Sequence, residues 1–183
     1  MGHTVGPDDA EQIRLGQTAE AEQFASRWIR DHPSDALFPF YLADRALASK
    51  DFAAAETRYR DVIKLQPNNA LAINNVAWLM VQQNKAGAVA YAEQANQLMP
   101  GRPALMDTLA AALAADRQLD KAVAVQKQAV ERAPEDGQLR LNLAKLYIKA
   151  DQKGMARGEL ERIGKLGRNF PQQEEVTKLL GSL

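Results

Sequence analysis

The sequence predicts an all-α solenoid of antiparallel helix pairs, and three observations lead there. Pro33, Pro67, Pro100 and Pro134 stand 34, 33 and 34 residues apart, and a regular period in that range is the signature of stacked helical hairpins. Small residues recur at the same offsets from those prolines, as Ala110, Ala122 and Ala129 do before Pro134. Apolar residues make up 46% of the 183 residues and aromatics only 6%, an alanine-dominated mixture that suits closely packed helices better than a sheet.

Composition narrows the chemistry. Twenty-three Lys and Arg balance 23 Asp and Glu, so no global charge points to nucleic acid or a membrane surface. The absence of cysteine excludes a disulfide framework, a thiol nucleophile and thiolate metal sites. No stretch approaches the roughly 18 apolar residues of a membrane span, and no signal peptide is recognised. Residues 1–7, with Met1-Gly2-His3 resembling a cloning remnant, are expected to be disordered.

The elements follow in order. Asp8-Asp9 can cap a short helix to about Leu15; Gly16 breaks it, and a second begins at Gln17 or Thr18 and ends near Asp31. This partial unit, about 8–35, places Ala21 and Ala25 at the small positions and Trp28 where a small residue is usual. The second unit, 36–69, has helices at about Leu37–Ala48 and Phe52–Leu65, with Ser49-Lys50-Asp51 as the turn. A residue before proline is pushed out of the α region, so the second helix stops before Pro67. The third unit, 70–102, is one residue short; the deletion must fall around Asn84–Gly87, where it spoils no helix phase. The fourth, 103–136, turns at Asp116–Gln118. The fifth, 137–170, has Arg168 where the proline should stand. Pro171 then suits the first position of a last helix, Gln172–Leu180. Val176, Leu179 and Leu180 can cover the end of the stack, which a solenoid needs for solubility; a linker into a further domain is the alternative.

These units resemble tetratricopeptide repeats. Positions 8, 20, 27 and 32 read Ala43, Ala55, Val62, Pro67; then Ala77, Ala88, Ala95, Pro100; then Ala110, Ala122, Ala129, Pro134; then Ala144, Ala156, Ile163, Arg168. The resemblance covers about residues 8–183. It implies a right-handed superhelix with a concave groove lined by the first helix of each unit. The runs NNVAWLM at 74–80 and ARGELERIGKLGRNFPQQEEVTKLL at 156–180 resemble the C-terminal repeats of a bacterial PEP-CTERM-associated tetratricopeptide lipoprotein. That implies exopolysaccharide export or protein sorting, in the periplasm or envelope; without it a cytoplasmic setting is expected.

No catalytic constellation is found, and neither a metal nor a cofactor is expected. His3 lies in the disordered start, and His32 at a helix end favours that terminus electrostatically. HExxH, GxxxxGK and GxSxG are absent. The function expected is therefore a non-enzymatic scaffold for a protein or peptide segment. Transferring the family's groove positions gives Leu37, Phe40, Asp44 and Leu47; Leu71, Asn74, Trp78 and Gln82; Asp107, Ala111 and Ala115; and Gln138, Leu141, Lys145 and Lys149. Phe40 and Trp78 are open to a core reading as well. Chaperone-tail binding is not expected: the positions such members use carry Phe40 and Asp44, Asn75, Ala104 and Thr108, or, one repeat on, Asn74 and Trp78, Thr108, Gln138 and Asn142, and neither frame supplies the cations.

Two alternatives remain open. Residues 137–183 carry nine cations against five acids and residues 1–35 three against seven, so copies could join head to tail. The chain could also be a regulatory segment of a larger enzyme.

Overall fold

The computed structural model describes residues 20, 23–24, 26–32, 34–165 and 170–183. Helices run α1 Leu37–Ala48, α2 Phe52–Leu65, α3 Ala70–Gln82, α4 Ala88–Leu98, α5 Pro103–Ala115, α6 Leu119–Arg132, α7 Gly137–Lys149, α8 Lys153–Gly164 and α9 Gln173–Ser182. A helical stretch at 26–31 precedes them, and no strand occurs among the described residues. The expectations for residues 1–19, for Ala21, Ala25 and Pro33 and for Arg168 lie outside the described residues.

Each helix packs on its partner and on the next pair, and the first helices α3 and α5 also touch. The small positions make this approach possible: Ala43, Ala55, Ala77, Ala92, Ala95, Ala110, Ala122, Ala129, Ala144 and Ala156 are all fully buried.

The starts and stops repeat with the sequence. Asp51, Asn69 and Asp136 cap α2, α3 and α7 by accepting backbone N–H groups, which satisfies donors that the first helical turn leaves orphaned. Asp35 serves α1 likewise, accepting from Leu37 and Phe38. Arg102 cannot cap, and there Pro103 opens the helix instead. At the other ends, Gln66, Met99 and Ala133 have extended backbones before their prolines, with ψ of 80°, 75° and 70°. A proline disfavours the α region for the residue before it, which ends these helices.

The hairpin turns share a strained residue. Lys50, Asn84, Arg117 and Asp151 all lie in the left-handed region, with φ of 62°, 53°, 62° and 57°. After each, a backbone N–H reaches back five residues, as Gln118 N does to Leu113 O at 2.9 Å. This is the helix-ending motif that glycine usually serves. A non-glycine residue there is disfavoured by about 1–2 kcal/mol. Arg117→Gly is thus expected to raise stability by about 1 kcal/mol net of glycine's entropy, read as a rise of about 2–4 °C in Tm; a drop would mean the Arg117 side chain holds the turn.

The short unit loses its residue at the start of α4. Aligned on the buried alanines, α6 begins three residues before Ala122, whereas α4 begins at Ala88 itself. Gly87, at φ 88°, makes the entry. The deletion therefore falls in the expected stretch and removes the first turn of the second helix.

The candidate protein-binding groove

The predicted groove residues divide by burial into surface and scaffold. Leu37 is 81% exposed and Leu71 49%; they occupy the same position of α1 and α3. Asp44, Gln82 and Lys149 are exposed, and Ala111 is half-buried. Phe40 and Trp78 are half-buried, each edge-on to another ring: Phe40 to Tyr59 at 5.4 Å and Trp78 to Phe52 at 5.7 Å between centroids. Each is partly open to solvent and braces a neighbouring helix through its ring contact.

Two expectations need correction. Leu141 is fully buried. It packs in a cluster with Leu160, Ile163, Phe170 and Val176, because α9 folds over the end of the fifth unit and closes the face the repeat pattern leaves open. Asn74 is only 9% exposed, and its Oδ1 has no hydrogen-bond partner among the described residues.

Asp107 belongs to a polar chain. Its carboxylate accepts from Gln126 Nε2 at 2.6 Å and from Asn142 Nδ2 at 2.8 Å. Gln138 donates to Asn142 Oδ1 at 3.0 Å, and Gln172 donates to Gln138 Oε1 at 2.7 Å. Neutral amides alone solvate the carboxylate, so burial pushes its pKa up while the bonds from Asn142 and Gln126 oppose the rise. Lys145 is also engaged, its Nζ 2.8 Å from Glu175 on α9. Asp44 accepts a 2.5 Å hydrogen bond from the Tyr59 hydroxyl. Burial and that carboxylate push the Tyr59 pKa up, against the hydrogen bond from Asn75.

The sequence reading missed two charged clusters. Glu56, 6% exposed, accepts from Arg60 at 2.8 Å, Gln83 at 2.8 Å and Lys85 at 2.7 Å. Arg60 continues to the Tyr91 hydroxyl at 2.8 Å and lies over its ring, tying α2 to the α3–α4 pair. Glu159 likewise holds Arg140 and Arg162. A signal existed for the first cluster and for the polar chain. Glu56 stands where the next two units have Val89 and Val123, and Gln126 where others have Tyr59, Ala92 and Leu160. Polar residues at core offsets must find partners.

With this geometry established, comparison with known proteins bears on the fold. Residues 113–183 match the tetratricopeptide repeat family. The fold is a tetratricopeptide solenoid. Among solved structures it is similar to MamA from Desulfovibrio magneticus RS-1, at 21% identity and TM-score 0.72, covering 92% of this chain and 99% of that one. It is also similar to PilW, described as a widely conserved type IV pilus biogenesis factor, at 19% identity and TM-score 0.73, covering 94% and 82%. A third is YrrB, described as a tetratricopeptide protein with an unusual peptide-binding site, at 17% identity and TM-score 0.65, covering 86% and 80%. No curated protein matches the sequence. At these identities the likeness shows the fold alone. No helix among the described residues is long and apolar enough to cross a membrane.

Proposed function

We propose that the solenoid is a non-enzymatic scaffold that binds an extended segment or a helix of a partner protein along the first helices of its units. The observation that carries this reading is the pair Leu37 and Leu71, large apolar side chains exposed at one repeated position. Exposed apolar anchors flanked by polar groups suit such a partner. Asp44 lies at one end and Lys149 at the other, so the surface has a polarity that can orient a bound chain. The resemblance of residues 74–80 and 156–180 to the sorting-associated lipoprotein supports a setting in bacterial exopolysaccharide export or protein sorting.

A cross-linking pull-down from the native cell extract tests it, comparing wild type with a Leu71→Glu, Lys149→Glu variant. Both side chains are exposed, so the variant keeps its fold; Trp78 is unsuitable because its loss would also unpack Phe52. A protein captured by wild type and lost by the helical variant supports the groove. Equal capture by both removes the groove as the site. The alternative of head-to-tail assembly predicts a mass that rises with concentration and falls with salt in light scattering.

A further inference from the structure

The deletion in the short unit has left an open cavity of about 570 Å³ between the α3–α4 turn and α5. Its walls include Val81, Ala88, Val89, Ala112 and Ala115. The neighbouring units show what is missing there. Phe52 and Leu119 are the first residues of α2 and α6, and both pack on the first helix of the following unit: Phe52 on Trp78, and Leu119 in one cluster with Leu146. In the short unit that place falls to exposed Ala86. The facing helix is reduced too, since Ala111 and Ala112 of α5 stand where α3 has Trp78 and Leu79 and α7 has Lys145 and Leu146. Volume is thus lost from both sides of one interface, and close-packed interiors do not leave such a space by default.

Charge sets the rim. Lys85, paired with Glu56 at 2.7 Å, is one cation against the two carboxylates Glu93 and Asp116 on the cavity lining, so the edge is net acidic. We infer that this cavity receives one phenylalanine- or leucine-sized side chain from a protein partner, with a basic residue next to it in the partner's sequence. The partner's side chain takes the place that Phe52 and Leu119 fill from within the chain. The site lies at the turn edge of the solenoid, away from Leu37 and Leu71. The inference rests on the reading that the solenoid binds a protein segment, but it is tested without that partner.

The probes are two capped dipeptides, N-acetyl-Phe-Arg-amide and N-acetyl-Phe-Glu-amide, titrated into protein with 13C-labelled alanine methyls. The Ala88, Ala112 and Ala115 methyl resonances are expected to shift and saturate in the millimolar range, as suits so small a ligand. The arginine probe should bind about two- to fivefold more tightly, the scale of one exposed ion pair. Ala86→Phe, which supplies the absent side chain from within, should abolish the shifts and raise Tm. If that variant does not fold, Ala115→Leu at the exposed edge is the second block. No methyl shift with either probe, or shifts that persist in a folded blocked variant, would overturn the inference. Either result leaves the pull-down on Leu71 and Lys149 unaffected, so failure here and failure of the groove are separable.

Discussion

Leu141→Ala lowers the free energy of unfolding by about 3 kcal/mol, within the roughly 2–5 kcal/mol range of buried leucine truncations. Leu141 has no exposed surface, and its neighbours come from α8, α9 and Phe170. The truncation leaves a space that four separate segments would have to collapse to fill. At this chain length the loss corresponds to about 6–12 °C in Tm. A solenoid's stability is a sum over neighbouring units, so the damage should be local. Amide exchange should accelerate in α7, α8 and α9 before it does in α3. A loss below about 1 kcal/mol, within the range of surface changes, would return Leu141 to the groove surface where the repeat pattern had put it.

Glu56→Ala should cost about 2 kcal/mol at neutral pH. Removing one partner of a fully buried pair costs about 3–5 kcal/mol. Here the side chains of Arg60 and Lys85 are 38% and 48% exposed and can return to water, which reduces the penalty. Acid provides an independent reading. Burial pushes the Glu56 pKa up, but the hydrogen bonds from Lys85, Arg60 and Gln83 outweigh it, so the carboxyl stays below its ordinary value of 4.5. A depressed carboxylate contributes stability that is present above the ordinary value and is lost as pH falls through the folded one. Wild type should therefore lose stability below about pH 4.5 more steeply than Glu56→Gln, measured by urea unfolding across pH. Parallel curves for the two proteins would show that the cluster holds nothing. Asp107 works in the opposite direction. Its pKa is raised from 3.8, so its own contribution weakens as pH climbs above that value, and the two carboxylates must be separated by mutation.

The sequence alone determined the repeat. The proline spacing and the recurring alanines placed the repeat units and located α1 and α2 to the residue, because each signal is local and recurs. It also located Leu37 and Leu71, whose exposure follows from a position that no neighbouring helix covers. Only the tertiary structure decided what covers the other positions of the same row. Leu141 shares its repeat position with Phe40, Asn74 and Asp107, yet it is buried, in one cluster with Leu160 and Ile163 of α8 and Val176 of α9. Asp107 is held by amides from two other helices. Trp78 is turned edge-on by Phe52. The cavity beside Ala112 needed both a missing turn in one unit and small residues in the next. Periodicity tells which side chains share a face; the packing of non-neighbouring segments decides whether that face meets water, and that depends on volumes and partners far apart in the chain.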